Sequence, residues 1–134
     1  MHPNRGQWDD RVQYKMDLDF GDLLIENQGI TYQLYDLKIH KAHDEPNYSP
    51  KFHIIKSRFV NSQTPTKKTE QSTSSYYRNY FIGKDESKWK SQVQDVQDVV
   101  FSQLYPGVDI HYSSLNNQLK YSLVVAPNTN SSII

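Results

Sequence analysis

Apolar and polar residues alternate along several short stretches of the chain, and turn residues separate these stretches. A period of two is typical of a β-strand that buries one face. The stretches that we expect to form strands are 12–16, 23–26, 30–36, 52–60, 76–82, 108–112 and 119–125. So many short strands predict a mainly β fold, either an antiparallel β-sandwich or an open barrel, with long loops and at most one short helix.

Two pairs of these strands lie close enough in the sequence to form hairpins. In residues 23–36 the connection ends at Gly29, a residue type that tolerates a positive φ. In residues 108–125 the connection is Ser-Ser-Leu-Asn-Asn, and the turn before this hairpin is Tyr105-Pro106-Gly107. Each hairpin has one apolar and one polar face, so both should pack on a single core.

Two polar stretches are expected to be loops. Residues 38–50 contain Pro46 and Pro50 and few apolar side chains. Residues 62–75 consist of Ser, Thr, Gln, Lys, Glu and one Pro, which predicts an exposed and mobile loop within one domain.

The stretch 85–104 fits two patterns. The residues with helical spacing are Trp89, Val93, Val96, Val100 and Leu104. However, Val99 and Phe101 fall off that stripe, and β-branched residues crowd the same region. We expect a helical turn capped by Asp85 and then an extended segment around Val99–Phe101, while helix and strand both remain open for 93–104.

Composition narrows the function classes. Val, Ile, Leu and Phe supply about 24% of the 134 residues, above the roughly 20% that a folded core usually needs. Fifteen basic and fifteen acidic residues cancel, so nothing attracts nucleic acid, and no apolar run is long enough for membrane insertion. With no cysteine, the chain can form neither disulfides nor thiolate metal sites.

The residues Met1 to Gly6 contain no apolar segment of the kind that a signal peptide has. Either the protein is cytosolic, or a signal sequence has been removed from it.

Residues with catalytic potential do not form a recognised constellation. His40, His43, Asp44 and Glu45 have the most metal-like spacing, but they lie in a Pro-bounded segment without a third ligand at a known spacing. No serine sits in a nucleophile motif, and the five glycines form no phosphate loop. We therefore predict no catalytic residue, no metal ligand and no cofactor-binding residue.

Aromatic side chains are the most suggestive candidates for binding. Tyr76, Tyr77, Tyr80 and Trp89 lie close together in the sequence, with Phe81 among them. If exposed, they would suit stacking on sugar rings or contact with a protein partner. The alternative, which we favour, is that they fill the core of a domain that has few aliphatic residues.

Three motifs, taken in order, resemble one protein family. The motifs are Asn4-Arg5-Gly6-Gln7-Trp8 with Val12-x-Tyr14-Lys15, then Tyr80-Phe81-Ile82-Gly83-Lys84-Asp85-x-Ser87-Lys88-Trp89, and finally Leu104-Tyr105-Pro106-Gly107-Val108-Asp109 with Leu119-Lys120-Tyr121-x-x-Val124-Val125-Ala126-Pro127. They resemble the N-terminal domain of unknown function found in large exported Bacteroidota surface proteins. Those proteins often carry β-propeller-type repeats and a gliding-motility-associated or type IX secretion C-terminal domain.

The resemblance, over about residues 4–134, implies a secreted or cell-surface protein, with a role in adhesion or gliding and without an established catalytic residue. It also implies that residues 1–134 are one β domain at the N-terminus of a larger protein. The family continues into further strands, so we expect this domain to be truncated at its C-terminal edge, with exposed apolar surface near Leu123–Ile134.

Three hypotheses follow. The first is a non-catalytic structural or interaction module, whose partners are other domains of the parent protein, a surface glycan or another protein. The second is a carbohydrate-binding module that uses the aromatic residues of 76–89. The third and least favoured is a fragment of a metal-dependent hydrolase that uses His40 and His43.

Overall fold

The computed structural model describes residues 1–35 and 51–134. These residues form nine β-strands and two short 3₁₀ helices. The strands are β1 (His2–Pro3), β2 (Val12–Leu18), β3 (Gly21–Glu26), β4 (Gly29–Tyr35), β5 (Phe52–Arg58), β6 (Lys67–Tyr80), β7 (Lys90–Tyr105), β8 (Val108–Leu115) and β9 (Gln118–Val125). The 3₁₀ helices are Glu86–Lys88 and Ser131–Ile133. The predicted loop over 38–50 lies outside the described residues.

The strands form two antiparallel sheets. The first sheet has the order β1-β2-β3-β4-β5, and the second has the order β6-β7-β8-β9. Because every pairing joins strands that follow one another in the chain, each sheet is a meander. The mainly β prediction is confirmed, in the form of a sandwich rather than a closed barrel.

Both predicted hairpins are confirmed. In the second hairpin β8 and β9 pair without interruption from Val108↔Val125 to Leu115↔Gln118. The turn consists only of Asn116 and Asn117, which have φ values of 49° and 57°. The other three residues of the predicted connection, 113–115, belong to β8. Asparagine tolerates this left-handed conformation, and two such residues match the twist of a two-residue hairpin.

The core lies between the two sheets. From the first sheet, Tyr14, Met16, Leu23 and Ile25 point inward, and each is at most 4% exposed. The second sheet contributes a larger set of buried residues. They include Val96, Val99, Phe101, Leu104, Val108, Ile110 and Tyr112. The rings of Tyr14 and Phe101 meet across the sandwich with 5.9 Å between their centroids, so a single core joins the sheets.

Strand β7 resolves the ambiguity over 93–104. Asp85 caps a 3₁₀ turn, as expected. The whole of 90–105 is extended, so the helical interpretation of 93–104 is wrong. Val93, Val96 and Val99 all point into the core because β-bulges shift the alternation between them. The bulges therefore produce spacings of three residues that imitate a helix.

The prediction of a loop over 62–75 is wrong from Lys67 onward, where β6 begins. This strand lies at the edge of its sheet and pairs with β7 from Lys67↔Ser102 to Tyr80↔Lys90. Most of its side chains are exposed or half-buried, so the strand needs no apolar residues. Its stability comes from the backbone ladder and from polar contacts.

The short strand β1 was not predicted. It pairs with β2 through His2↔Lys15 and Pro3↔Tyr14, while Met1 exchanges two backbone hydrogen bonds of 2.8 Å with Val96 of β7. Thus β1 bridges the two sheets.

The buried hydroxyl of Tyr112 gives a test of the core. Tyr112 is fully buried, and its Oη has no hydrogen-bond partner among the described residues. A buried polar group without a partner is costly, so Tyr112→Phe should leave the free energy of unfolding unchanged or raise it by up to ~1 kcal/mol. Denaturant unfolding of both proteins measures this, and a loss above about 1 kcal/mol would mean that the hydroxyl has a partner.

Candidate functional site

The predicted aromatic residues lie at and around the end of the β6–β7 hairpin. Tyr76 is 77% exposed and Tyr77 is 59% exposed. Tyr80 is half-buried at the end of β6, and Trp89 is 37% exposed just before β7. These rings are therefore not core residues, which corrects our favoured interpretation.

The four rings do not form one continuous strip. The ring of Tyr80 packs edge-on against Trp8, with centroids 5.2 Å apart, and Trp89 packs in the same way against Phe81 at 5.7 Å. Among the residues that the structure describes, no ring contact links Tyr76 or Tyr77 to these pairs. We call Trp8, Tyr80, Phe81 and Trp89 the aromatic tip.

The first two sequence motifs meet at this tip. Asn4 organises the first motif: its side-chain amide donates to the carbonyl oxygens of Val12 (2.7 Å) and Asp9 (3.0 Å), and its Oδ1 accepts from the N–H of Gly6 (2.9 Å). The resulting loop presents Trp8 to Tyr80. These motif residues thus have roles in the fold.

The second motif is also explained by local structure. Asp85 accepts hydrogen bonds from the N–H (3.1 Å) and hydroxyl (2.6 Å) of Ser87, which lowers the pKa of the Asp85 carboxyl. The indole N–H of Trp89 donates to the carbonyl oxygen of Gly83 at 3.3 Å. Gly83 has a φ of 75°, which favours glycine.

The third motif lies at the β7–β8 turn. Gly107 there has a φ of 74°, and Thr129 lies where a Gly107 Cβ would project. Asp109 accepts from the N–H of Gln103 (2.8 Å), and the Tyr105 hydroxyl donates to the carbonyl oxygen of Val60 (2.9 Å). All three motifs therefore include residues that shape turns and loops.

A charged cluster that the sequence analysis missed surrounds His2. The ring is 5% exposed, with Nδ1 2.6 Å from Asp95 and Nε2 3.3 Å from Asp17. The guanidinium of Arg78 donates to Asp17 at 2.9 Å and lies 3.9 Å from Asp95. The cluster connects β1, β2, β6 and β7 beside a recess of about 240 Å³.

Electrostatics in this cluster favour ion pairing. Partial burial disfavours the charge of Asp17, but His2, Lys15 and Arg78 outweigh that effect and hold the pKa of Asp17 below its ordinary value.

A His between two carboxylates also suggests acid–base chemistry, but the geometry argues against it. Both ring nitrogens of His2 face carboxylate oxygens, so the ring donates to both only as an imidazolium. Both nitrogens are thus occupied by side chains of the cluster, and the residue is only 5% exposed. The arrangement is suited to holding β1 in place.

Polar residues close the β6 side of the sandwich. Glu70 accepts two hydrogen bonds from Arg5, at 2.8 and 2.9 Å, and one from the Tyr14 hydroxyl at 3.1 Å. Burial and the neighbouring Glu70 charge raise the pKa of Tyr14. The ammonium group of Lys68 lies 5.9 Å from the Phe101 ring centroid and contacts the side chain of Gln13. This side of the core is shielded from water.

The opposite side of the sandwich is open. In the second sheet, the neighbouring residues Val99 and Tyr112 are fully buried, while the next residue in the row, Tyr121 of β9, is 50% exposed. In the first sheet, exposure rises from 2% at Leu23 to 55% at Ile55 of β5. We call this region, from β5 to β9, the open side.

Further apolar residues extend the open side. Val125 is 41% exposed in the core-facing row of β9, while Phe52 (54%) and Val124 (55%) are exposed on the outer faces of β5 and β9. Phe59 bridges the sheets there, with its ring 5.8 Å from that of Tyr121. Exposed apolar residues thus concentrate along two edge strands, and such patches often mark interaction surfaces.

The metal hypothesis is not tested, because His40, His43, Asp44 and Glu45 lie outside the described residues. Within 1–35 and 51–134, no three His, Asp or Glu side chains converge as metal ligands would. No helix in the described part of the chain is long and apolar enough to cross a membrane.

Comparison with known proteins yields a family but no activity. A family model described as a domain of unknown function matches residues 1–134. No curated protein and no solved structure matches the chain.

Proposed function

We propose that this chain, which belongs to the DUF7948 family of domains of unknown function, is a non-catalytic interaction module at the N-terminus of a secreted or cell-surface bacterial protein. The exported setting, with a role in adhesion or gliding, follows from the resemblance of the three motifs to N-terminal domains of Bacteroidota surface proteins. The principal partners are other domains of the parent protein.

The observation that carries the proposal is the open side. Core-facing residues of β5 and β9, such as Ile55 and Tyr121, are half exposed, although Tyr112 beside Tyr121 is fully buried and Tyr32 beside Ile55 is partly buried. Covering such side chains would gain about 25 cal/mol for each Å² of apolar surface removed from water. A neighbouring domain that packs here would extend the existing core.

The non-catalytic part of the proposal rests on the state of the reactive groups. The histidine nearest to carboxylates, His2, has both ring nitrogens engaged. A second His–carboxylate pair among residues 1–35 and 51–134, His111 and Asp98 at 3.5 Å, involves a ring nitrogen that is itself shielded from solvent. His2 is only 5% exposed, and the His111 nitrogen that faces Asp98 is buried.

Amide hydrogen exchange would test the docking role. The chain of residues 1–134 is compared with the longer secreted polypeptide that carries it. The amides of β5 and β9 should exchange more slowly in the longer polypeptide, while those of the polar edge strand β6 serve as the internal control. Equal exchange of β5 and β9 in both proteins would count against the proposal, as would turnover of a glycan or peptide that one substitution abolishes.

Carbohydrate binding is the second candidate, and the exposure of Tyr76 and Tyr77 favours it. The hydroxyl-bearing rings of both residues are free to stack on a sugar. Adhesion to a surface glycan would also suit an exported protein.

Loss of glycan binding on aromatic substitution is the corresponding prediction. If sugars bind here, array screening should identify a glycan ligand. Tyr77→Ala and Trp89→Ala should each lower the affinity for that glycan by about tenfold, since a good aromatic contact contributes ~1 kcal/mol or more. Calorimetry measures this. Phe20→Ala, which removes an exposed ring elsewhere, is the matched control. Unchanged affinity in both the Tyr77 and the Trp89 variant would exclude sugar binding by these rings.

A further inference from the structure

The two edges of the second sheet are built differently. At the β6 edge, pairing with β7 is interrupted by four register shifts, and the strand carries the charged residues Lys67, Lys68, Glu70 and Arg78. Bulges and charges of this kind protect an edge strand against pairing with another chain. Strand β6 therefore has the features of a protected edge.

The β9 edge lacks these features. All eight of its residues pair with β8 in one unbroken register. Its sequence, Gln118–Val125, contains no proline and a single charge, Lys120. Lys120 pairs with Ser113, on the face away from the core, so it does not block the approach of another strand in the core layer.

The free backbone groups of β9 can be assigned from the hairpin geometry. Ala126 donates its N–H to the carbonyl oxygen of Gly107 at 2.8 Å. Alternate residues of an antiparallel ladder bond to the same neighbour, so 118, 120, 122 and 124 face β8. The N–H and C=O groups of 119, 121, 123 and 125 then point to the outer edge.

Nothing in the described part of the chain pairs with that outer edge. Residues 126–134 turn away after β9, where Thr129 bonds to Ala126 and Ile134 to Ser131. The same four residues that offer free backbone groups carry the core-facing side chains. These side chains are Leu119, Tyr121, Leu123 and Val125.

We propose that β9 is a strand-addition site, which accepts an extended segment from another domain of the parent protein as a fifth strand of the second sheet. The inference rests on the proposed function and specifies how docking occurs. An added strand would satisfy the outward N–H and C=O groups and would cover Tyr121 and Val125 with its own side chains. The row of core residues would then be complete.

Charge and alternation define the chemistry of the added segment. Its core-facing positions must be aliphatic, because they continue the row of Tyr121 and Leu123. On the other face, a carboxylate opposite Lys120 would form a cross-strand ion pair. Neither β9 nor β5 carries an acidic residue, so an acidic segment meets no repulsion from these strands.

Peptide binding would test the site directly. The probe is a capped peptide of sequence Val-Thr-Val-Thr-Val-Glu-Val-Thr, which places valines on the core face and its glutamate opposite Lys120 in antiparallel pairing. Binding is followed by amide chemical shifts, and perturbations should concentrate on β9. A peptide of the same composition with clustered valines is the control, and it should bind at least about tenfold more weakly because it cannot keep the alternation.

Two variants and one control variant test the roles of the β9 edge and of the Lys120 charge in peptide binding. Val125→Pro removes an outward N–H without touching the bonds to β8 and should weaken peptide binding by about tenfold. The control variant, Gln71→Pro in a bulge of the β6 edge, should leave the affinity for the peptide unchanged. Lys120→Glu should reverse the preference between the glutamate peptide and its lysine counterpart, by about threefold each way. Thermal unfolding of each variant confirms that it is folded.

The outcomes separate this inference from the function on which it rests. Binding at β9 that follows the proline and charge variants supports strand addition. Perturbation of β6 or the aromatic tip instead, or no binding to a folded wild-type chain, overturns it. The inference is also overturned if the chain dimerises through β9 and the peptide does not displace the second copy, because β9 would then be occupied by another copy of this chain. Slower exchange of β5 and β9 in the longer polypeptide would still support docking in those cases.

Discussion

Replacing Phe101 with alanine is expected to lower the free energy of unfolding by about 3–5 kcal/mol. Phe101 is fully buried in the second sheet and contacts the rings of Tyr14 and Tyr112, at 5.9 and 5.3 Å between centroids. Its removal leaves a cavity where the sheets meet and deprives Lys68 of the ring beneath its ammonium group. The lost stability has three sources, which are the burial of the ring, the cavity that it leaves and its contacts with other aromatic rings.

Urea unfolding, followed by tyrosine and tryptophan fluorescence, measures the change. Phe20→Ala is the matched control, because that ring is 58% exposed and its removal should cost well under ~1 kcal/mol. If the two variants lose similar amounts of stability, Phe101 does not join the sheets as described.

Replacing His2 with alanine is expected to cost about 3 kcal/mol at neutral pH. The buried ring faces Asp95 at 2.6 Å and Asp17 at 3.3 Å, so its loss leaves two partly buried carboxylates that only Arg78 and Lys15 balance. Strand β1 would then be held between the sheets mainly by backbone bonds.

The pH dependence of this loss has a definite sign. The charges around Asp17 lower its pKa, so they stabilise the folded state above the unfolded pKa of an aspartate, and that contribution disappears as pH falls through the lowered value. The difference between wild type and His2→Ala should therefore shrink in acid. Arg11→Ala, which removes an exposed ion pair with Asp9, should leave the free energy of unfolding nearly unchanged. A His2 variant as mild as this control would contradict the assigned role.

Local patterns were sufficient to predict the hairpins. In strands β3, β4, β8 and β9 every second residue faces the core and the turns are short, so the face that each strand buries follows from the sequence. The alternation fails in β7, where positive φ values at Gln92 and Gln103 accompany shifts in register. Such bulges depend on the partner strand and leave no simple mark in the sequence.

The same patterns could not predict the polar strands. Strand β6 has no apolar period because its side chains face water or charged partners, and β1 is too short for any period. Both are fixed by tertiary contacts. These contacts include the Arg5–Glu70 pair and the His2 cluster.

The candidate sites differ in how far they could be predicted. Sequence proximity was enough to single out Tyr76, Tyr77, Tyr80 and Trp89, but not to show that Tyr80 and Trp89 pack on Trp8 and Phe81. The open side could not be located from the sequence, because Tyr112 and Tyr121 have the same place in an alternating pattern. Only the order of strands buries one and exposes the other.

Solvent accessibility of these two rings tests the central claim, that one core is closed on the β6 side and open between β5 and β9. In a nuclear magnetic resonance experiment with a soluble paramagnetic agent, the ring signals of Tyr121 should broaden strongly, while those of its cross-strand neighbour Tyr112 should stay sharp. Equal protection of both rings in the isolated chain would contradict the open side, and equal broadening would contradict the shared core.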